Sequence, residues 1–181
     1  GFTIAAMILV NNPGNWSHIY PPLEHAQWHG WTITDLIFPY FLFIVGVSIS
    51  LAFSSRKTSG PISSELYKKI IRRTLILFGL GLFLASFPSP DWGSFDLSSI
   101  RIPGVLQRIA VCYFFASIIF LHCKVKTQVT WAIGLMLVYW AFMQWYPVPG
   151  VGAGSYEKGA NFSSWLDNLF LNGHMWSETK T

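Results

Sequence analysis

The stretch EHAQWHGWTITDLIFPYFLFIVGVSISLAF, residues 24–53, decides the fold. It joins a polar, histidine-bearing loop directly to a long apolar run. Between Ile33 and Phe53 the only acidic, basic or imidazole side chain is Asp35, at the start of the run. A helix rises about 1.5 Å per residue, so this run covers roughly 30 Å, the thickness of a bilayer's hydrocarbon core. It reads as a membrane span. His25, His29 and Asp35 then lie at one membrane face, where an ionisable group left uncompensated is costly and therefore points to function. The competing reading is interfacial anchoring by Trp28 and Trp31, with the histidines simply solvated.

Composition agrees with the span. The 181 residues are 52% hydrophobic and 11% charged, where soluble domains carry about 25% charged residues. Aromatic residues reach 17%, with nine Trp, which suits interfacial belts. A first apolar stretch, Phe2 to Val10, is half a span long and runs into the turn signal Asn11-Asn12-Pro13-Gly14. Further spans are expected over about 74–87, 103–121 and 129–146. Together these predict an all-α polytopic transmembrane bundle of about five spans, one transmembrane domain over residues 1–181. With the half-span at its start and a polar segment at its end, the chain reads as part of a larger bundle. Pro39 inside the second span should kink it. Residues 64–73 form a candidate amphipathic surface helix ahead of the third span, and 162–171 a short amphipathic helix near the end. Gly79 and Gly81 suit close helix contact. Cys112 and Cys123 read as buried free thiols.

Charge sets the expected topology. The loops at 54–73 and 122–128 hold eight of the twelve Lys and Arg against one acid, Glu65. The loops at 11–32, 88–102 and 147–181, with the adjoining span ends, hold the other four cations and the remaining seven acids, among them Asp91 and Asp96. The basic side is cytoplasmic by the positive-inside rule, so His18, His25, His29, His174 and Asp35 face outward. The basic side also predicts contact with anionic lipid headgroups.

Three constellations could carry chemistry. His25 and Asp35, ten residues apart across the loop-to-helix junction, could form a base or nucleophile with its orienting carboxylate. The bland reading is a surface His and an acid near a helix N-terminus. Arg108, about five residues into the fourth span, needs an anionic partner, for which Asp35 is the expected one, or it serves to hold two helices together. His25 and His29 at i, i+4 would suit a metal only on a helix, which Gly30 argues against, so no metal is expected. There is no phosphate-binding Gly-rich loop, dinucleotide fingerprint or nucleophile elbow, and no nucleic acid is expected as a partner. Asn15-Trp16-Ser17 and Asn161-Phe162-Ser163 match the glycosylation sequon, a pattern that arises readily by chance.

HAQWHGWTITDLIFPYFLFIVGVSI from His25 and RIPGVLQRIAVCYF from Arg101 resemble signature stretches of the heparan-α-glucosaminide N-acetyltransferase family, and the chain looks most like its bacterial NagX-like members. GFTIAAMILVNNPG at the start and WLDNLFLNGHMW near the end are similar to the same family in the same order. The resemblance implies a bundle of ten or more spans, with this chain as its N-terminal half, in a bacterial inner membrane with the His-bearing loop in the periplasm. It implies acetyl transfer from cytosolic acetyl-CoA to the amine of a glucosamine-type sugar across the membrane. His25 matches the family's active-site His, as acetyl acceptor or general base, and Asp35 matches its Asp. Arg101, Gln107 and Arg108 match the second motif. These three, with Asn11, Trp28 and His29, are the expected substrate-binding residues. Membrane lipid and a second copy of the chain complete the expected partners. An amino-sugar transporter that performs no acyl transfer is the other reading, since a kinked span with intramembrane charge also suits a transport path.

Overall fold

A computed structural model describes residues 1–58, 61–86, 100–172 and 174–175. Among them all regular elements are helical: α1 (Phe2–Asn11), α2 (Ile37–Thr58), α3 (Ser64–Ala85), α4 (Val105–His122), α5 (Val125–Trp145) and α6 (Phe162–Leu171). Two 3-10 turns, Pro21–Leu23 and Thr34–Leu36, lie between α1 and α2. The chain divides into two compact units, Gly1–Ser59 and Gly60–Thr181. Asp91, Asp96, Glu178 and Lys180, which enter the charge count above, lie outside the described residues.

Among the described residues, two stretches are long and apolar enough to cross a membrane, Thr34–Lys57 and Val105–His122. The other three expected spans are also helices. α1 has 10 residues, about 15 Å. α3 and α5 have 22 and 21 residues, but α3 opens with Lys68, Lys69, Arg72 and Arg73, and α5 interrupts its apolar run with Lys126, Gln128 and Thr130. From Trp131 to Met143 α5 is apolar on every side, and only Met143 is buried along the helix. Such a helix is stable where lipid or other helices surround it, not water.

In the first unit, α1 packs on α2. Pro39 is the third residue of α2, because the preceding turn is 3-10 and the α-helix begins only at Ile37. In the first turn its missing N–H would have no intrahelical partner anyway. The expected kink therefore has no mid-helix position to act from.

In the second unit, α3 and α4 form an antiparallel pair. The expected surface helix at 64–73 is not separate: it is the first half of α3, which continues unbroken to Ala85. Its apolar positions Leu66 and Ile70 are buried, and burial against α4 outweighs the pull of the cations toward solvent. On α4, Gln107, Ala110, Tyr113, Ser117 and Leu121 are buried at three- and four-residue spacing, one stripe of the helix. At one end of the pair Tyr67 and His122 share a 2.7 Å hydrogen bond. In the middle the Arg73 guanidinium lies 4.8 Å from the Tyr113 ring centre, within cation–π range. At the other end Gly81 faces Leu106 and Gln107.

The two glycines of α3 differ. A Cβ on Gly81 would stand 3.0 Å from the Leu106 Cβ and collide with the Gln107 amide, whereas one on Gly79 meets nothing within 4 Å. Only Gly81 fulfils the expected close contact. Glycine costs a helix interior about 1 kcal/mol relative to alanine, while overpacking costs about 1–3 kcal/mol. Gly79→Ala should therefore raise the melting temperature of the detergent-solubilised protein slightly, and Gly81→Ala should lower it.

α6 has the bounds expected from the sequence. It packs on the end of α5 through Phe162, whose ring stacks on Phe142 at 5.1 Å and meets Tyr146 at 4.9 Å. Asn161 caps it, accepting from the Ser164 N–H at 2.9 Å and donating to the Glu157 carbonyl at 2.8 Å. The residue is 3% exposed, so this sequon is a buried helix cap and offers no glycan acceptor.

Candidate functional site

The site forms where the 24–36 loop folds back on itself. Pro21 and Pro22 favour a short 3-10 turn, closed by Leu23 N–H to Tyr20 O at 2.8 Å. The chain then runs extended through Glu24 and past His25. Gly30, at φ +93°, takes a conformation that costs other residues and reverses the loop. Thr32 comes back beside Glu24, and the 3-10 turn Thr34–Leu36 begins.

Asp35 is the centre of this fold-back. Its Oδ1 lies 2.6 Å from His25 Nδ1. Its Oδ2 accepts from the backbone N–H of Thr32 at 2.9 Å and of Ala26 at 3.2 Å. Thr32-x-x-Asp35 is thus half of a capping box, the acid reaching back to the N–H three residues earlier. The Thr32 hydroxyl does not complete the box. It donates to the Glu24 carbonyl at 2.6 Å, with Asp35 Oδ2 at the longer 3.2 Å.

The chemistry follows from the donors. A carboxylate only accepts, so the His25 proton sits on Nδ1 and the neutral ring presents the lone pair of Nε2. The His25 side chain is 67% exposed and Asp35 30%. The imidazole therefore faces solvent while its carboxylate is half-buried and held by backbone donors. Such a dyad can take a proton or make a nucleophilic attack, and can stabilise the imidazolium that results.

The other expected residues are distributed as follows. Asn11 is the last residue of α1 and exposed. Trp28 and His29 lie three and four residues beyond His25 on the same loop. The loop is not helical there, so His25 and His29 do not share a helix face. Arg101, Gln107 and Arg108 belong to the second unit, at the N-terminal end of α4. Burial, with the Arg108 guanidinium nearby, pulls Arg101 below the ordinary arginine value. Gln107 is 4% exposed, its amide wedged between Gly81 and Gly104. Its Nε2 has no hydrogen-bond partner among the described residues. Arg108 was the expected partner of Asp35; within the first unit that carboxylate is taken up by His25, Ala26 and Thr32. His174, grouped with the outer histidines by sequence, donates from Nδ1 to Ile100 O at 2.9 Å and accepts at its carbonyl from Ile102 N–H, pinning the approach to α4. Thr32 and the Ala26 N–H did not enter the sequence reading. The T-x-x-D spacing was the one signal for Thr32.

The sequence model of a family described as heparan-alpha-glucosaminide N-acetyltransferase, catalytic, matches residues 1–153. The heparan-alpha-glucosaminide N-acetyltransferase of Mus musculus is 35% identical over 119 residues, covering 66% of this chain and 18% of the mouse protein. Its Homo sapiens counterpart is 36% identical over 119 residues, 66% of this chain and 17% of the human protein. The match thus spans less than a fifth of either relative's length.

Proposed function

The chain belongs to the heparan-alpha-glucosaminide N-acetyltransferase catalytic family, and from that membership we propose that it forms the His-bearing part of a transmembrane N-acetyltransferase. The acetyl donor is acetyl-CoA on the cytoplasmic side, and the acceptor is the amine of a glucosamine-type sugar on the periplasmic side of a bacterial inner membrane. The observation that carries the reading is the 2.6 Å bond between His25 Nδ1 and Asp35, which leaves Nε2, on a largely exposed side chain, as the reactive atom.

Two routes use that atom. As a general base, Nε2 acts on a sugar amine that has already given its ammonium proton to solvent: the amine attacks the thioester carbon, a C–N bond forms as Nε2 takes the second N–H proton, the C–S bond breaks, and the imidazolium passes that proton to the departing thiolate. As an acceptor, Nε2 attacks the thioester carbon itself and the C–S bond breaks with the thiolate leaving; the sugar amine then attacks the acetyl carbon, its bond to the ring breaks, and the amine proton passes to solvent, which protonates the thiolate. In both, Asp35 keeps the tautomer and steadies the cationic ring. Asn11, Trp28, His29, Arg101, Gln107 and Arg108 bind substrate in this reading, the Trp by stacking on a sugar face and the Arg by pairing with anionic groups. The basic turns of α3 and the start of α5 face the cytoplasmic lipid surface.

The test is direct. The full-length protein in detergent is given acetyl-CoA and glucosamine, and N-acetylglucosamine is followed by mass spectrometry. Product dependent on the protein supports the reading. Absence of product, together with glucosamine uptake by reconstituted vesicles, would replace it with a transporter.

A further inference from the structure

We propose that Thr32 is the positioning residue for His25. The proposal rests on the reading of His25 as the acetyl-transfer base or acceptor, and adds the group that fixes where its ring stands. With two thirds of its side chain exposed, His25 has little packing to hold its rotamer. Its orientation must come from hydrogen bonds and from the backbone that carries it. The residues on both sides of it are tied down. The Glu24 carbonyl, in the peptide that precedes His25, accepts from the Thr32 hydroxyl at 2.6 Å. The Ala26 N–H, in the peptide that follows, donates to Asp35 Oδ2 at 3.2 Å. Asp35 is in turn held by the Thr32 N–H at 2.9 Å.

Thr32 therefore supports the ring from two directions, through its hydroxyl on the Glu24 carbonyl that precedes His25 and through its N–H on the Asp35 carboxylate that His25 bonds. A threonine at this place in a helix start ordinarily turns its hydroxyl forward to the N–H three residues on. Here that N–H, of Asp35, bonds the Thr32 carbonyl at 3.2 Å instead, and the hydroxyl points back to Glu24. The hydroxyl has one proton, and the shorter distance to Glu24 O assigns it there rather than to Asp35. Gly30 makes this closure geometrically available by reversing the chain between the two residues.

Thr32→Val keeps the shape and the backbone N–H and removes the hydroxyl; Thr32→Ser keeps the hydroxyl. In the full-length protein, Thr32→Val should lower kcat by about 10- to 100-fold, since small misplacements of a catalytic group cost on that order, with KM for glucosamine within about twofold. Thr32→Ser should recover kcat to within about threefold. The 15N spectrum of labelled histidine should show His25 losing its single Nδ1–H tautomer in Thr32→Val and keeping it in Thr32→Ser. A His25 spectrum in Thr32→Val identical to wild type overturns the proposal, as does a kcat equal to wild type. If Thr32→Val does not fold, Thr32→Ala is read by the same spectrum. Should the wild type transfer no acetyl group, the acetyltransferase reading fails on that result alone, and the spectrum still decides whether Thr32 holds the ring.

Discussion

His25→Ala lowers kcat for acetyl transfer by on the order of 10³-fold and leaves the melting temperature unchanged within a degree or two. Both halves follow from the same geometry. The side chain is mostly exposed, so its removal opens no cavity, and the backbone ties at Glu24 and Ala26 do not involve the ring. The cost falls on the reaction. A positioned base is worth about 10²–10⁴-fold, and a nucleophile that carries the acetyl group is worth at least as much. The variant also separates the two routes. Added imidazole restores turnover if Nε2 only moves a proton, and a burst of acetylated wild-type protein, absent from His25→Ala, marks the covalent route. The assay is product formation under saturating acetyl-CoA, with circular dichroism melting as the control for folding.

Asp35→Asn lowers kcat nearly as far, by about 10²–10⁴-fold, for a different reason. Two backbone N–H groups converge on Oδ2. In the variant the amide oxygen turns toward these two donors, because an NH2 there would face N–H groups head-on. The amide nitrogen then faces His25 Nδ1 and donates to it. The ring must present a lone pair at Nδ1, which moves its proton to Nε2, the atom that has to accept. Loss of the orienting carboxylate in other dyads gives penalties of this size through the wrong tautomer. Asp35→Ala removes the acceptor of both N–H groups and should also lower stability, by about 1–3 kcal/mol. The comparison is checked by kcat and melting temperature together: Asp35→Asn loses activity with its fold retained, and Asp35→Ala loses both.

The parts legible in the sequence were those set by local pattern. The apolar run after Asp35, the turn at Asn11 and the bounds of α6 follow from periodicity and turn chemistry, which act over a few residues. The His25–Asp35 pair was legible as a candidate because few ionisable groups stand beside an apolar run. Its geometry was not, since contact depends on how the chain reverses at Gly30. The Thr32 hydroxyl was hidden for the same reason: its partner, the Glu24 carbonyl, is a backbone atom that no residue type announces. α3 looked like two pieces because its cations mark a surface. Leu66 and Ile70 are buried against α4, and that long-range contact carries the helix through them. Gly79 and Gly81 are equivalent as letters; only the neighbouring α4 distinguishes them.

The most direct test of the central claim is vectorial. The full-length protein is reconstituted into sealed vesicles with known orientation, radiolabelled acetyl-CoA is placed on the side of the basic 54–73 segment, and glucosamine on the other. The account predicts labelled N-acetylglucosamine on the glucosamine side from wild type and none from His25→Ala. Glucosamine that crosses unmodified at equal rates with wild type and His25→Ala would contradict it, and would make the protein an amino-sugar transporter.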